Sequence, residues 1–172
     1  MAIEVNLEKY GHKKKGFLGF SWTAFFFNFL VPIFRADFKW FLIFIFPFIF
    51  ASLGTSFDLD FDNNFIAFIF IFPVFVSKFV FPFIYNKFYT KGLIKEGYLP
   101  PKDDDYSNAI LKGTGYLEYT DEDLLDKEKM ERYKVIIEEY ENERKKDMHT
   151  IIIVFALIGV LIAFFYFMAS YS

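Results

Sequence analysis

The chain contains no cysteine. That absence removes disulfides, thiolate metal sites and cysteine nucleophiles in one step. Histidine is nearly absent too, with only His12 and His149. No Ser-His-Asp set, phosphate-binding loop, paired acid or metal cluster can be assembled, which argues against an enzyme and implies no cofactor. No internal repeat appears, and the N-terminus lacks a cleavable signal pattern: large aromatics follow its basic residues where small residues at a cleavage site would be needed. Acidic residues are missing from every long apolar block.

What is present is phenylalanine, at 28 of 172 positions, beside 24% charged residues. A soluble core of this size has no use for so many Phe. The two populations are segregated, with apolar blocks separated by charged stretches, as expected where lipid is the solvent for the blocks. The net charge of -3 is small, so only its distribution informs.

Four apolar blocks stand out: Phe17–Phe34, Phe38–Gly54, Phe65–Tyr85 and Ile151–Met168. The last three are long enough, at 1.5 Å per residue, to span a hydrocarbon layer of about 30 Å. The first carries Ser21, Thr23 and Asn28 and ends at Pro32. On a helix, Trp22, Phe25, Phe26, Phe29 and Leu30 share one face, while Ser21, Ala24 and Asn28 gather on the other. That pattern predicts an interfacial or re-entrant helix.

Charge distribution supports the same layout. If the first block returns to its starting side, every basic cluster falls on one face: Lys9 with Lys13, Lys14 and Lys15; Arg35 and Lys39; Lys87, Lys91 and Lys95; and Arg144, Lys145 and Lys146. The opposite side then holds Thr55–Asn64, with three Asp and no Lys or Arg, and a short tail. The positive-inside rule therefore predicts three crossings, a cytoplasmic N-terminus and an external C-terminus.

The expected fold is an all-α integral membrane protein. Residues 1–16 form a basic cytoplasmic N-terminus and 17–37 a re-entrant or interfacial helix. Residues 38–97 form a transmembrane hairpin with a basic exit helix, and 98–120 a cytoplasmic linker. Residues 121–172 form one long helix, half cytoplasmic and half membrane-spanning. Thr120-Asp121-Glu122-Asp123 reads as the capping box that opens it. Favourable i,i+4 pairs are expected at Asp123–Lys127, Glu128–Arg132 and Glu141–Lys145.

Candidate residues follow from depth and spacing. Lys78 is an ionisable group inside an apolar block, placed to snorkel to the headgroups or to serve a buried role. Pro47 and Pro73 interrupt their helices, bending them and freeing carbonyls. Lys87, Lys91 and Lys95 recur at i, i+4, i+8 and should lie against anionic lipid, each contributing about 1 kcal/mol near the surface. Nucleic acid is the rival partner, and the strongly acidic segment nearby argues against it. Ala156, Gly159 and Ala163 form a small-residue helix-contact face for this protein's own hairpin, a second copy or another membrane protein. His149 stands where the last helix enters the membrane, as a haem ligand or merely a polar boundary residue. Asp58, Asp60 and Asp62 copy the start of a calcium loop, but Asn63 and Ile69 replace the Gly and Glu that would complete it.

The stretch Gly19-Phe20-Ser21-Trp22-Thr23-Ala24-Phe25-Phe26-Phe27, continuing to Pro32-Ile33-Phe34-Arg35-Ala36-Asp37-Phe38-Lys39-Trp40, resembles a bacterial family of small aromatic-rich inner-membrane proteins of unknown function. Tyr85-Asn86-Lys87-Phe88-Tyr89 with Gly97-Tyr98 resembles that family's closing element, so the likeness covers about residues 12–98. The resemblance implies a re-entrant aromatic segment, a hairpin and a basic exit helix; some members carry haem-associated labels. Everything from Leu99 onward departs from the family pattern. The expected function is a non-enzymatic inner-membrane accessory, scaffold or regulatory protein. The alternative is a ligand-handling protein, either a transporter or channel component or a haem-binding protein.

Overall fold

The computed structural model describes residues 2–56 and 64–170. The Asp58, Asp60 and Asp62 loop therefore lies outside the described residues. The chain is mostly helical and divides into two compact units, residues 1–107 and 108–172.

The first unit opens on an element the all-α expectation lacks. β1 (Ile3–Lys9) and β2 (His12–Leu18) form an antiparallel hairpin, with Ile3 opposite Leu18 and Lys9 opposite His12. The signal lies in the alternation Ile3, Val5, Leu7 and in a two-residue turn at Tyr10-Gly11. Both turn residues have positive φ (49° and 80°), which matches the twist of a tight hairpin. Val5, Leu7 and Leu18 are fully buried, while Lys13, Lys14 and Lys15 face outward. Both edges of the hairpin are occupied. Glu8 and Leu99 exchange backbone hydrogen bonds (2.8 and 3.1 Å), and the Asn6 amide donates to Ser107 Oγ (2.9 Å). On the other edge Thr90 Oγ1 accepts from the Phe17 amide and donates to its carbonyl, both at 2.7 Å.

The first apolar block is not one helix. β2 takes its start, and the rest forms α1 (Trp22–Phe27) and α2 (Leu30–Phe34). Ser21 caps α1 through the Ala24 amide (3.2 Å), and Asn28 at φ 47° separates the two. After α2 the chain turns through a Schellman motif. The Ala36 amide donates to the Ile33 carbonyl and the Asp37 amide to that of Pro32, with Ala36 left-handed at φ 53°. Asp37 then caps α3 (Phe38–Ser56) through the Trp40 amide (3.2 Å).

The third apolar block is a broken helix. α4 (Asn64–Phe79) and α5 (Phe81–Lys95) meet at 59° about Val80. The expected bend at Pro73 is not where the break falls. Pro82 causes it: without an N–H it cannot bond back to residue 78, and its ring clashes with that carbonyl. The Pro82 carbonyl accepts from the Ser21 amide (2.9 Å), tying the break to the start of α1. The core joins these helices through Ala24, Val31, Phe44 and Tyr85, with Phe29, Trp40, Phe81 and Tyr89 packed around them.

The expected linker at 98–120 contains a helix, α6 (Asp105–Gly113). Asp104 caps it, accepting from the Ser107 amide (2.9 Å) and Ser107 Oγ (2.7 Å), and also from Asn6 Nδ2 (2.8 Å). Burial alone would push the Asp104 carboxyl up, but these bonds win and hold it below the usual carboxylate range.

In the second unit the long helix is interrupted near its start. Thr120 and Asp123 form the expected capping box of α7 (Asp121–Leu125). Asp126 then leaves the helix (ψ 91°) and caps α8 (Lys127–Ser170), accepting from the Lys129 amide at 2.9 Å. A second good N-cap residue one turn after the first divides the expected single helix. Glu128–Arg132 forms as the spacing predicts (3.1 Å). Asp123 does not need Lys127: it is 2% exposed and bonded by Lys112 Nζ and by Lys129 Nζ at 2.7 Å. Burial would raise its carboxyl, yet the two ammonium groups and Thr120 hold it well below the carboxylate range. The same contact raises Lys129. α8 is long and apolar enough to cross a membrane.

Candidate functional site

Beside its apolar core the first unit also buries a set of polar side chains. Ser21, Asn28, Ser77, Asn86 and Thr90 are all buried. Ser77, Asn86 and Thr90 are carried inward by faces of α4 and α5, while Ser21 and Asn28 flank α1 as its two caps. Ser77 Oγ reaches the Phe44 carbonyl (3.2 Å) and Asn28 Oδ1 (3.4 Å), while Asn28 Nδ2 donates to the Ser77 carbonyl (3.4 Å). The face of Ser21, Ala24 and Asn28 thus packs inward. Phe26 (62% exposed) and Phe34 (85%) stand outside, as do Phe38 (74%), Phe46 (62%) and Phe65 (70%).

At the edge of this interior lies Arg35, the C-cap of α2. Its guanidinium carbon sits 3.9 Å from the Phe17 ring centre and 5.1 Å from those of Tyr85 and Tyr89. Such placement over aromatic faces is attractive by about 0.5–2 kcal/mol per contact. Nη1 donates to Asn86 Oδ1 (2.9 Å), and Asn86 is itself fixed by donating to the Gly19 carbonyl (3.1 Å). Among the described residues no carboxylate lies within ion-pair distance of Arg35. Asp37 is the nearest charge of opposite sign in sequence, and its carboxylate is engaged at the start of α3. The Tyr85 hydroxyl, fully buried, lies against the guanidinium, and its own proton finds no acceptor among the described residues. This cage was visible in sequence only as one basic residue after an aromatic block and as the Tyr85-Asn86…Tyr89 spacing. Nothing local linked them.

The residues singled out from sequence fall into separate places. Pro47 and Pro73 both line an apolar groove of about 600 Å³, with Leu42, Phe46, Phe72 and Val76. Lys78 does not line that groove; its ammonium lies 5.3 Å from the Phe25 ring centre, at the end of α4. Lys87, Lys91 and Lys95 form one exposed stripe on α5, opposite the buried Tyr85, Asn86, Thr90 and Leu93. Ala156, Gly159 and Ala163 are all exposed, and nothing lies within 4 Å of a Cβ built on Gly159. The His149 Nδ1 pairs with the Lys145 carbonyl of its own helix (2.8 Å). Among the described residues no group of three or more His, Asp or Glu could hold a metal ion.

Comparison with protein-family models, with curated proteins and with solved structures returned no match for this chain.

Proposed function

We propose that this chain is a non-enzymatic, multi-pass protein of the bacterial inner membrane, acting as an accessory, scaffold or regulatory subunit through helix and lipid contacts. The observation that carries the reading is the apolar exterior of the first unit: Phe26, Phe34, Phe38, Phe46, Phe65 and Phe68 are more than half exposed, while the buried Ser77 and Asn86 side chains hydrogen-bond inside. In water that distribution forfeits about 25 cal/mol for every Å² of apolar surface left wet; in lipid nothing is lost.

In this reading α3 and α4 form the hairpin. α3, at 19 residues, reaches about 28 Å, and α4, at 16 residues, about 24 Å, so the first turn of α5 completes the second crossing. The bend at Val80 then lets α5 leave the hydrocarbon obliquely, with Lys87, Lys91 and Lys95 towards anionic headgroups. α1 and α2 dip into one leaflet and return. The apolar half of α8 is the third crossing, and its small-residue face is free to meet a second copy or another membrane helix. The charged half of α8 would project about 35 Å into the cytoplasm.

A chain without cysteine is convenient for testing this. Single substitutions Lys14→Cys and Tyr171→Cys are labelled in intact cells with a membrane-impermeant maleimide. Tyr171→Cys should react, and Lys14→Cys only after permeabilisation. The reverse pattern refutes the topology. For the accessory role, cross-linking in native membrane should trap a partner or a second copy; a strict monomer with no cross-linked neighbour counts against it.

The groove between Pro47 and Pro73 favours a second reading, in which a small apolar ligand is handled there. Lys78 lies apart from that groove. Lys78→Leu should therefore be tolerated under both readings, whereas loss of a transport activity in Val76→Trp, which fills the groove, would favour the second. A Soret band after reconstitution with haem would favour a haem-binding role.

A further inference from the structure

We propose that Arg35 is the anchoring donor of a phosphate-binding site, and that the phosphate is the phosphodiester of an anionic phospholipid. The inference rests on the membrane reading above and deepens it. An arginine carries five N–H donors in a plane, and the structure accounts for two, the bond to Asn86 Oδ1 and the contact with the Tyr85 hydroxyl. Phe17, Tyr85 and Tyr89 present ring faces to the cation, which stabilises the charge without using its in-plane edges. No carboxylate among the described residues pairs with it. A half-buried cation in aromatic surroundings needs an anion to complete it. Beside it the fully buried Tyr85 hydroxyl lies against the guanidinium, and its own proton finds no acceptor among the described residues. A tetrahedral phosphate meets both needs: two oxygens match the guanidinium fork and another accepts from the phenol.

Position selects a lipid over a soluble phosphate. Phe34 and Phe38, on either side of Arg35 in sequence, are 85% and 74% exposed. If both enter the acyl layer, Arg35 is held at the boundary where phosphodiesters lie. Lys39 and Lys87, exposed on α3 and α5, favour a net negative headgroup. Asn86, tethered to Gly19, positions the guanidinium.

The full-length protein, purified in mild detergent, is equilibrated with phosphatidylglycerol or phosphatidylcholine, and retained lipids are counted by native mass spectrometry. Wild type should keep one phosphatidylglycerol in preference to phosphatidylcholine. Arg35→Gln should lower that occupancy about tenfold, and Arg35→Lys should recover only part of it, because an ammonium lacks the fork. Tyr85→Phe keeps the ring and its packing. It should reduce retention about threefold with unchanged elution volume and circular dichroism, so the proposal stays falsifiable even if Arg35→Gln does not fold. Replacing Lys87, Lys91 and Lys95 by Gln should strip loosely held lipids and spare the single retained one. Equal retention in wild type, Arg35→Lys and Tyr85→Phe overturns the site. Loss confined to the triple-lysine variant also overturns it, while leaving the membrane topology to the labelling experiment. Displacement of the lipid by millimolar inorganic phosphate overturns the lipid assignment.

Discussion

Replacing Asp123 by Asn tests the reasoning about the second unit most directly. The Asp123 carboxylate is 2% exposed and receives four hydrogen bonds: from Lys112, from Lys129 (2.7 Å), and from the Thr120 amide (2.9 Å) and hydroxyl (2.8 Å). Asn keeps an oxygen for the Thr120 amide, so the cap itself loses no more than about 1 kcal/mol. Lys129 is 25% exposed and can swing towards water, but Lys112, at 9%, is left as a buried unpaired cation. Breaking one side of a buried pair costs about 3–5 kcal/mol; with Lys129 relieved, the lower end applies, about 3 kcal/mol. Hydrogen exchange of the full-length protein in detergent, read by mass spectrometry over residues 108–125, should lose about a hundredfold in protection. Adding Lys112→Met removes the stranded charge and should restore most of it. Unchanged protection in Asp123→Asn, or a double variant worse than the single one, would refute the account. The pH dependence has a definite sign. Asp123 is depressed in the folded chain, so its contribution is present above an unfolded value near 3.9 and lost as pH falls through the folded one. Lys129 is raised, so its share is complete below about pH 10.4 and lost as pH climbs through the folded value. Between these limits the bridge is insensitive to pH.

Three further outcomes follow from local geometry. Gly113→Ala would place a Cβ 2.5 Å from Ile137 Cδ1 and 2.7 Å from Cγ1, costing about 1–3 kcal/mol in denaturant titration, and Ile137→Val should relieve part of it. Ala36→Gly should stabilise the first unit by about 0.5–1 kcal/mol, because Ala36 holds the left-handed position that glycine takes elsewhere in the chain, at Gly97 and Gly115; a lowered midpoint refutes this. Pro82→Ala should straighten the α4–α5 junction and lengthen the distance between spin labels on the two helices. Pro73→Ala should leave that distance unchanged, since the break lies at Val80.

The apolar blocks, the Thr120–Asp123 cap and the exposed Lys87, Lys91, Lys95 stripe were legible because each depends on residues within one or two turns of one another. Several local signals were present and pointed elsewhere. The Ile3, Val5, Leu7 alternation with Tyr10-Gly11 encodes the hairpin, although by composition residues 1–16 read only as a basic cytoplasmic segment. Pro82 encodes the break in the third block, and Asp126 the second cap. In each case two neighbouring signals competed, Pro73 with Pro82 and Thr120 with Asp126, and periodicity alone does not rank them.

By itself, then, the sequence determined which segments are apolar, where charge collects and which residues can cap a helix, because these properties belong to single residues and short spacings. Only the tertiary structure decided that Phe17, Arg35, Tyr85, Asn86 and Tyr89 share one cage, and that Lys112 and Lys129 converge on Asp123. Arg35 is brought to Asn86 across 51 residues by the turn at Ala36 and the packing of α5 against β2 and α1. Contacts of that kind arise from how helices pack, and no periodicity along the chain encodes them.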